Sequence, residues 1–381
     1  MTVAITTGTR PEIIKMFPIM KEFDSRSINY KYIHTGQHHD YNLFLKFIDE
    51  FGIRRPDFHL SADTSSPINQ VTTIMNQLGI LLAQIQPSVI LIEGDTNSVL
   101  ASALAALKLN IPIAHVESGL RSNDWKTVEE HNRKIVDHIS DVLFSPTNIT
   151  TANLEKENVH GKIYTVGNTV IDAINLCLNK KISENKNKNV TIGLPIGRTV
   201  ETVSSETDMQ QEDFILVTMH RSENVDNVNI LKTVMGSLSE SNLKYIFPVH
   251  PHTMKRIEQY GLGSQIGNNI MITEPLGYYE FLKHLKNCKF VITDSGGVQE
   301  EITAPSINKK ALVLRDYTER PESVNSKHSV LCRIDKKTIM SQIQMLASED
   351  SNSRANQTVS SPYGSGEAAM KITDIIQKEF C

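Results

Sequence analysis

The chain has 381 residues, 39% of them hydrophobic, and a net charge of -4 from interspersed acidic and basic side chains. That length and apolar content fit two domains, each with its own core. Without a basic field or an apolar run of membrane-spanning length, nucleic acid and bilayer are excluded, which leaves small molecules or a second copy of the chain as expected partners.

In chain order, short β-rich runs alternate with longer amphipathic ones. The first series of strands is expected at 3–6, 32–35, 89–92, 113–116, 142–145 and 163–166. Its opening residues read as a strand and not as a secretion leader, so a cytoplasmic location is expected. A second series is expected at 214–219, 245–249, 270–273, 290–293 and 311–314, with helical periodicity between the strands, as at 279–286. Strands alternating with helices build parallel sheets, so the fold class is α/β with two Rossmann-like sheets. The expected domains are 1–172 and 213–362, joined by a connecting region 173–212 whose polar, irregular part is 182–212. Residues 363–381 close the chain with a helix for which the first domain is the candidate partner. Cys177, Cys288, Cys332 and Cys381 are too far apart for a zinc site or a disulfide framework and read as packing thiols.

Ligands of such sheets bind outside the carboxyl ends of the strands, so the loops there should carry the chemistry. After 290–293 comes Asp294-Ser-Gly-Gly-Val-Gln-Glu-Glu301, where Ser295, Gly296 and Gly297 allow backbone amides to approach a phosphate at a helix start. Glu301, one turn further, suits a ribose diol. An ordinary strand-to-helix turn with acidic capping is the plainer alternative. Arg10 and Lys15 follow the first strand and suit an anion; the strands at 89–92 and 113–116 end in Glu93-Gly-Asp95 and in Glu117. Asp95 also reads as a helix cap, and Glu129 with Arg133, four apart, as a surface ion pair. His115 reads as a core histidine. His250 and His252 lack the partners a metal site would need, so no metal is expected.

Taken together, Gly8-Thr-Arg-Pro-Glu12, Thr35-Gly-Gln-His38, Gly94-Asp-Thr-Asn97, His115-Val-Glu-Ser-Gly-Leu-Arg121, Glu129-Glu-His-Asn-Arg133, His220-Arg-Ser-Glu-Asn224, Asp294–Glu301 and Arg315-Asp-Tyr-Thr-Glu-Arg-Pro-Glu322 resemble the non-hydrolysing UDP-N-acetylglucosamine 2-epimerases. The resemblance runs from Gly8 to about Gly366 and leaves mainly 182–212 without a match. It implies a GT-B-like fold of two Rossmann-like domains with an interdomain active-site cleft. It further implies a homodimer, reversible conversion of UDP-GlcNAc to UDP-ManNAc through 2-acetamidoglucal, and no metal or nicotinamide cofactor. By the same resemblance Asp95, Glu117 and Glu129 form the acid-base set, and His220 assists the leaving phosphate. Arg10, Ser295, Gly296 and Gly297 hold the diphosphate, Glu301 the ribose, and the Phe281 backbone the uracil. Lys15, Arg133 and Arg320 complete the contacts, while Gln37, Arg221 and His250 match a second, regulatory site. Crowding carboxylates around an anionic ligand should raise at least one carboxyl pKa.

Departures from the family pattern fall at Val128 and His131, which should loosen the loop bearing Glu129, and along 302–310, where a turn changes. Asp40 and Asn69 replace a glutamine and an arginine of some regulated members, so activation by substrate is expected to be weak or absent. The rival readings are a GT-B glycosyltransferase, an epimerase of a diacetamido uronate nucleotide, a hydrolysing relative, and a silent nucleotide-sugar sensor.

Overall fold

The computed structural model describes residues 1–37, 48–179, 214–349 and 360–380. The expected connection 182–212, together with His38, His39, Asp40 and Cys381, lies outside the described residues. The chain divides into two compact units, Met1–Cys177 with Tyr363–Cys381, and Leu178–Pro362.

Among the described residues, the first unit carries β1 (Val3–Thr7), β2 (Tyr30–His34), β3 (Phe58–His59), β4 (Val89–Glu93), β5 (Ile113–Val116), β6 (Val142–Ser145) and β7 (Lys162–Thr165). They form one parallel sheet in the order β3-β2-β1-β4-β5-β6-β7. Val3, Ala4, Ile5, Val89, Ile90, Leu91 and Ile92 are fully buried, because helices cover both faces of a parallel sheet. The helices start where the sequence supplies caps. Ser66 and Thr96 each accept the amide three residues on, opening Pro67–Ile85 and Asn97–Lys108. Thr96, and not Asp95, is therefore the cap.

The second unit repeats the plan with β8 (Ile215–Thr218), β9 (Tyr245–Pro248), β10 (Ile270–Thr273), β11 (Val291–Thr293), β12 (Ala311–Val313) and β13 (Ser329–Leu331). The order β10-β9-β8-β11-β12-β13 is again all parallel. Val217, Phe247, Ile292 and Leu312 meet Leu231, Val234 and Ile343 in its core. In both sheets the chain winds outward one way and then the other, so each has a switch point: between β1 and β4, and between β8 and β11.

The last described helix, Ala368–Phe380, belongs to the first unit. It packs on Arg10–Ser25, where Arg26 donates to Asp374 and Gln377. Asp172 accepts the amides of Ala368 and Ala369 at 3.3 and 3.0 Å and so closes its N-terminus. Burial pushes the Asp172 carboxyl up to about 6, against these two bonds. Cys177, Cys288 and Cys332 are buried, and no helix among the described residues is long and apolar enough to cross a membrane.

Candidate active site

At the first switch point Lys15, one turn into the helix Arg10–Ser25, is buried with two carboxylates from adjacent strand ends. Its ammonium donates to Glu117 and lies 3.7 Å from Glu93. The Asn168 amide adds a 3.1 Å bond to the same Glu117 oxygen. Glu117 holds a left-handed backbone at φ 65°, a conformation that costs a residue with a Cβ roughly 1–2 kcal/mol and tends to mark functional sites. Burial drives the Glu93 carboxyl well up; Lys15 pulls it down, and Glu117, Glu12 and Asp95 push it further up. Raised carboxyl pKa values in this group thus fall on Glu93 and on Glu12, which burial holds at about 7.

Asp95 is half-buried and held from the helix Val128–Ile139. Arg133 pairs with it at 2.5 Å and Asn132 donates to its backbone carbonyl at 2.9 Å. Arg133 also reaches Glu130 at 3.2 Å. Glu130, fully buried, accepts the amides of Ser122 and Asn123 and the Ser122 hydroxyl, which pins the loop after β5. Glu129 lies exposed in the first turn of that helix, so the expected loose loop is regular structure.

Behind these groups His115 spans Gly94 O and the Asp137 carboxylate, both 2.8 Å away. Asp137 also accepts from Gly119 N and pairs with Arg121. Burial alone would raise the Asp137 pKa, but the bonds from His115 and Arg121 outweigh it and hold the carboxyl below its ordinary value. One buried carboxylate therefore braces the loops that carry Asp95 and Glu117, and His115 is the satisfied core histidine that its place in a strand implies.

At the second switch point Asp294, fully buried after β11, accepts the amides of His220 and Arg221 and the Asn224 side chain at 3.1 to 3.2 Å. The exposed His220 ring turns Nδ1 toward it at 3.6 Å. Ser295 is the N-cap of Gly296–Glu301, and Glu301, buried, is the last residue of that helix. A Cβ on Gly296 would sit 3.1 Å from Glu319 Oε1 and 3.4 Å from Arg320 Cζ, so the glycine keeps space beside a guanidinium. Glu319 gathers Arg221, Arg315 and Arg320 at 3.1, 2.8 and 3.3 Å, and Arg320 also donates to Glu300 at 2.7 Å. A helix start beside clustered guanidiniums is chemistry for an anion. Phe281 lies in the first turn of Tyr278–Asn287, its amide bonded to Gly277 O. His250 caps Pro251–Gln259, with its ring centroid 6.3 Å from that of His220. In the first unit Gln37 accepts the Ser98 amide at 2.9 Å.

A family model described as UDP-N-acetylglucosamine 2-epimerase matches residues 21–377. The chain belongs to the UDP-N-acetylglucosamine 2-epimerase family. It is an isomerase of that family, with two Rossmann-like domains of the GT-B-like class. A relative from Methanococcus maripaludis, a UDP-N-acetylglucosamine 2-epimerase, is 38% identical across 98% of each chain. Among solved structures, the UDP-GlcNAc 2-epimerase of Methanocaldococcus jannaschii in complex with UDP-GlcNAc and UDP is 35% identical. It matches with a TM-score of 0.84 over 99% of this chain and 100% of its own. The Neisseria meningitidis UDP-GlcNAc 2-epimerase bound to UDP-GlcNAc is 30% identical, with a TM-score of 0.85 over 100% of each chain.

In and beside the epimerase motifs stand several residues to which sequence reasoning assigns no role: Glu130, Asp294 and Glu319 within them, Glu93 and Asp137 outside them. Each is a buried carboxylate with at least one partner from another segment of the chain. For Glu93, Glu130 and Asp294 the one legible signal is an acidic residue at a strand end or helix start, which ordinary capping also produces; Asp137, late in the helix Val128–Ile139, carries no such signal.

Proposed function

We propose that the chain interconverts UDP-GlcNAc and UDP-ManNAc by elimination and re-addition of UDP. The Lys15, Glu93 and Glu117 cluster carries this reading, because it sets two buried carboxylates on neighbouring strand ends around one cation, with Glu117 in strained backbone. Such a group serves proton transfer; transfer of a sugar to an acceptor would not require it.

In the forward direction a carboxylate removes the proton from C2 of the sugar. The C2 electron pair forms the C1=C2 bond, the bond from C1 to the diphosphate oxygen breaks, and UDP leaves 2-acetamidoglucal. A proton delivered to the opposite face of C2, with return of the diphosphate oxygen to C1, yields UDP-ManNAc. The sequence of steps is redox-neutral, so nicotinamide has nothing to supply. Asp95, Glu117 and Glu129 are the proposed acid-base set, and Lys15 and Arg133 hold Glu117 and Asp95 in place. Asp294 orients His220 toward the leaving diphosphate. Arg10, Arg320 and the Ser295-Gly296-Gly297 amides receive its charge, which is the interaction that strengthens as the C1–O bond breaks. Glu301 takes the ribose and Phe281 the uracil edge.

Our reading extends to a cytoplasmic homodimer that supplies ManNAc for glycan or surface polysaccharide synthesis. Gln37, Arg221 and His250 are proposed as regulatory contacts, with weak or absent activation by UDP-GlcNAc; a sigmoidal rate curve would refute that. Incubation of the purified chain with UDP-GlcNAc, followed by chromatography, tests the reaction. UDP-ManNAc approaching a fixed ratio from either direction is expected. Free ManNAc with UDP would mean a hydrolysing enzyme, and unchanged UDP-GlcNAc would overturn the reading.

A further inference from the structure

Glu12 closes the motif Gly8-Thr-Arg-Pro-Glu12, and the mechanism above gives it no part. It is 2% exposed, yet its carboxylate bonds to three donors from two different loops. Gly8 N donates to Oε2 at 2.6 Å and the Thr9 hydroxyl to Oε1 at 2.8 Å, both from the loop after β1. The Thr96 hydroxyl, from the loop after β4, donates to the same Oε1 at 2.8 Å. Thr96 directly follows Asp95, and Arg10 lies between Thr9 and Glu12. Gly8 also packs tightly against the first turn of the helix that follows Thr96 and against the loop after β2: a Cβ on Gly8 would meet Ser98 Oγ at 2.1 Å and Thr35 Oγ1 at 2.3 Å.

An exposed carboxylate that merely capped Arg10–Ser25 would bond within its own turn. Glu12 instead reaches 84 positions along the chain to a hydroxyl beside a proposed catalytic group. Removing one partner of such a buried set leaves the others unsatisfied and lets both loops relax. We propose that Glu12 is a positioning residue that fastens the loop bearing Arg10 to the loop bearing Asp95, so one buried carboxylate sets both the diphosphate contact and the acid-base group. The inference rests on the roles proposed above for Arg10 and Asp95.

Three variants test it: Glu12→Gln, Thr96→Val and Thr96→Ser. Of the three bonds to Glu12, Thr96→Val cuts the one from the β4 loop, so kcat should fall about tenfold or more while UDP affinity stays within about twofold. Thr96→Ser restores the hydroxyl and should recover the rate that Thr96→Val loses. Glu12→Gln weakens the tie on both sides, so kcat and UDP affinity should fall together. Thr96→Val also removes the cap that Thr96 gives to Val99 N, whereas Glu12→Gln leaves that cap intact. A kcat defect common to the two variants therefore belongs to the tie. Amide exchange provides a readout independent of turnover: 94–99 should quicken in Thr96→Val, and 8–12 together with 94–99 in Glu12→Gln. Wild-type kcat in either altered variant, no rescue by serine, or unchanged exchange would overturn the inference. If the wild type itself leaves UDP-GlcNAc unchanged, the reading of the function fails, and exchange alone decides whether Glu12 ties the loops.

Discussion

Glu117 shows how one residue can carry both structural cost and function. Its left-handed backbone is unfavourable for any side chain with a Cβ, and its carboxylate is buried against Lys15 and Asn168. Glycine would relieve the backbone but remove the carboxylate, so we attribute the strain to the reaction. Glu117→Gln keeps the shape and the bond from Asn168 and removes the charge. Turnover of UDP-GlcNAc should fall by about a hundredfold or more, with UDP binding by calorimetry nearly unchanged. Wild-type turnover in this variant would remove Glu117 from the acid-base set. Gly296 tests the other switch point at the same scale. A methyl group in Gly296→Ala would press on Glu319 and Arg320, so affinity for UDP should drop about tenfold, a loss of about 1.4 kcal/mol. Unchanged affinity would show that the phosphate seat lies elsewhere.

At the scale of elements, the two switch points explain why the candidate residues cluster. Loops leaving β1 and β4 diverge to opposite faces of their sheet, as do loops leaving β8 and β11, and each pair opens a crevice. Most of these strands were legible as short buried apolar runs, and Ile113–Val116, Val142–Ser145 and Ile270–Thr273 fall on the residues expected. Phe58–His59 and Ser329–Leu331 were not expected, because two or three residues are too few to show a period and pairing with a neighbour defines them. The strand-end residues could be located for the same reason the strands could. Their partners could not: the bond from Thr96 to Glu12 and the gathering of Arg221 and Arg315 at Glu319 join positions that only the folded sheet brings together. The closing helix Ala368–Phe380 depends on such a partner too, since Asp172 satisfies two amides at its start. Asp172→Ala should cost about 1 kcal/mol and lower the melting temperature by about 2–4 °C, read by calorimetry. No shift would mean that the helix start is held by other contacts.

Across the whole molecule, carboxyls whose pKa folding shifts make stability depend on pH, and among the described residues the largest such shifts lie in the first unit. Burial holds Glu12 up at about 7 from 4.5, Asp172 up at about 6 from 3.8, and Glu93 well above its ordinary value. A carboxyl raised by folding binds more protons folded than unfolded. Its contribution is complete below its unfolded pKa and is lost as the pH rises through 6 and 7. Asp137 and Glu157 act in the opposite sense. For both, burial raises the pKa but the ionic partners outweigh it; Arg121 and Lys134 hold Glu157 at about 2. Their contribution is present above the unfolded value and is lost as the pH falls below it, for Glu157 toward about 2. The melting temperature of the first unit should therefore peak at about pH 4–5 and decline toward neutrality, less steeply in Glu12→Gln. A melting temperature that keeps climbing from about pH 5 to 8 would contradict this assignment of protons.

Reversible proton exchange at C2 by strand-end carboxylates is open to proton NMR of UDP-GlcNAc incubated with the enzyme in deuterated water. UDP-ManNAc carrying deuterium at C2 is expected, with exchange lost in Asp95→Asn and Glu117→Gln. UDP-ManNAc that retains its original C2 proton would contradict it.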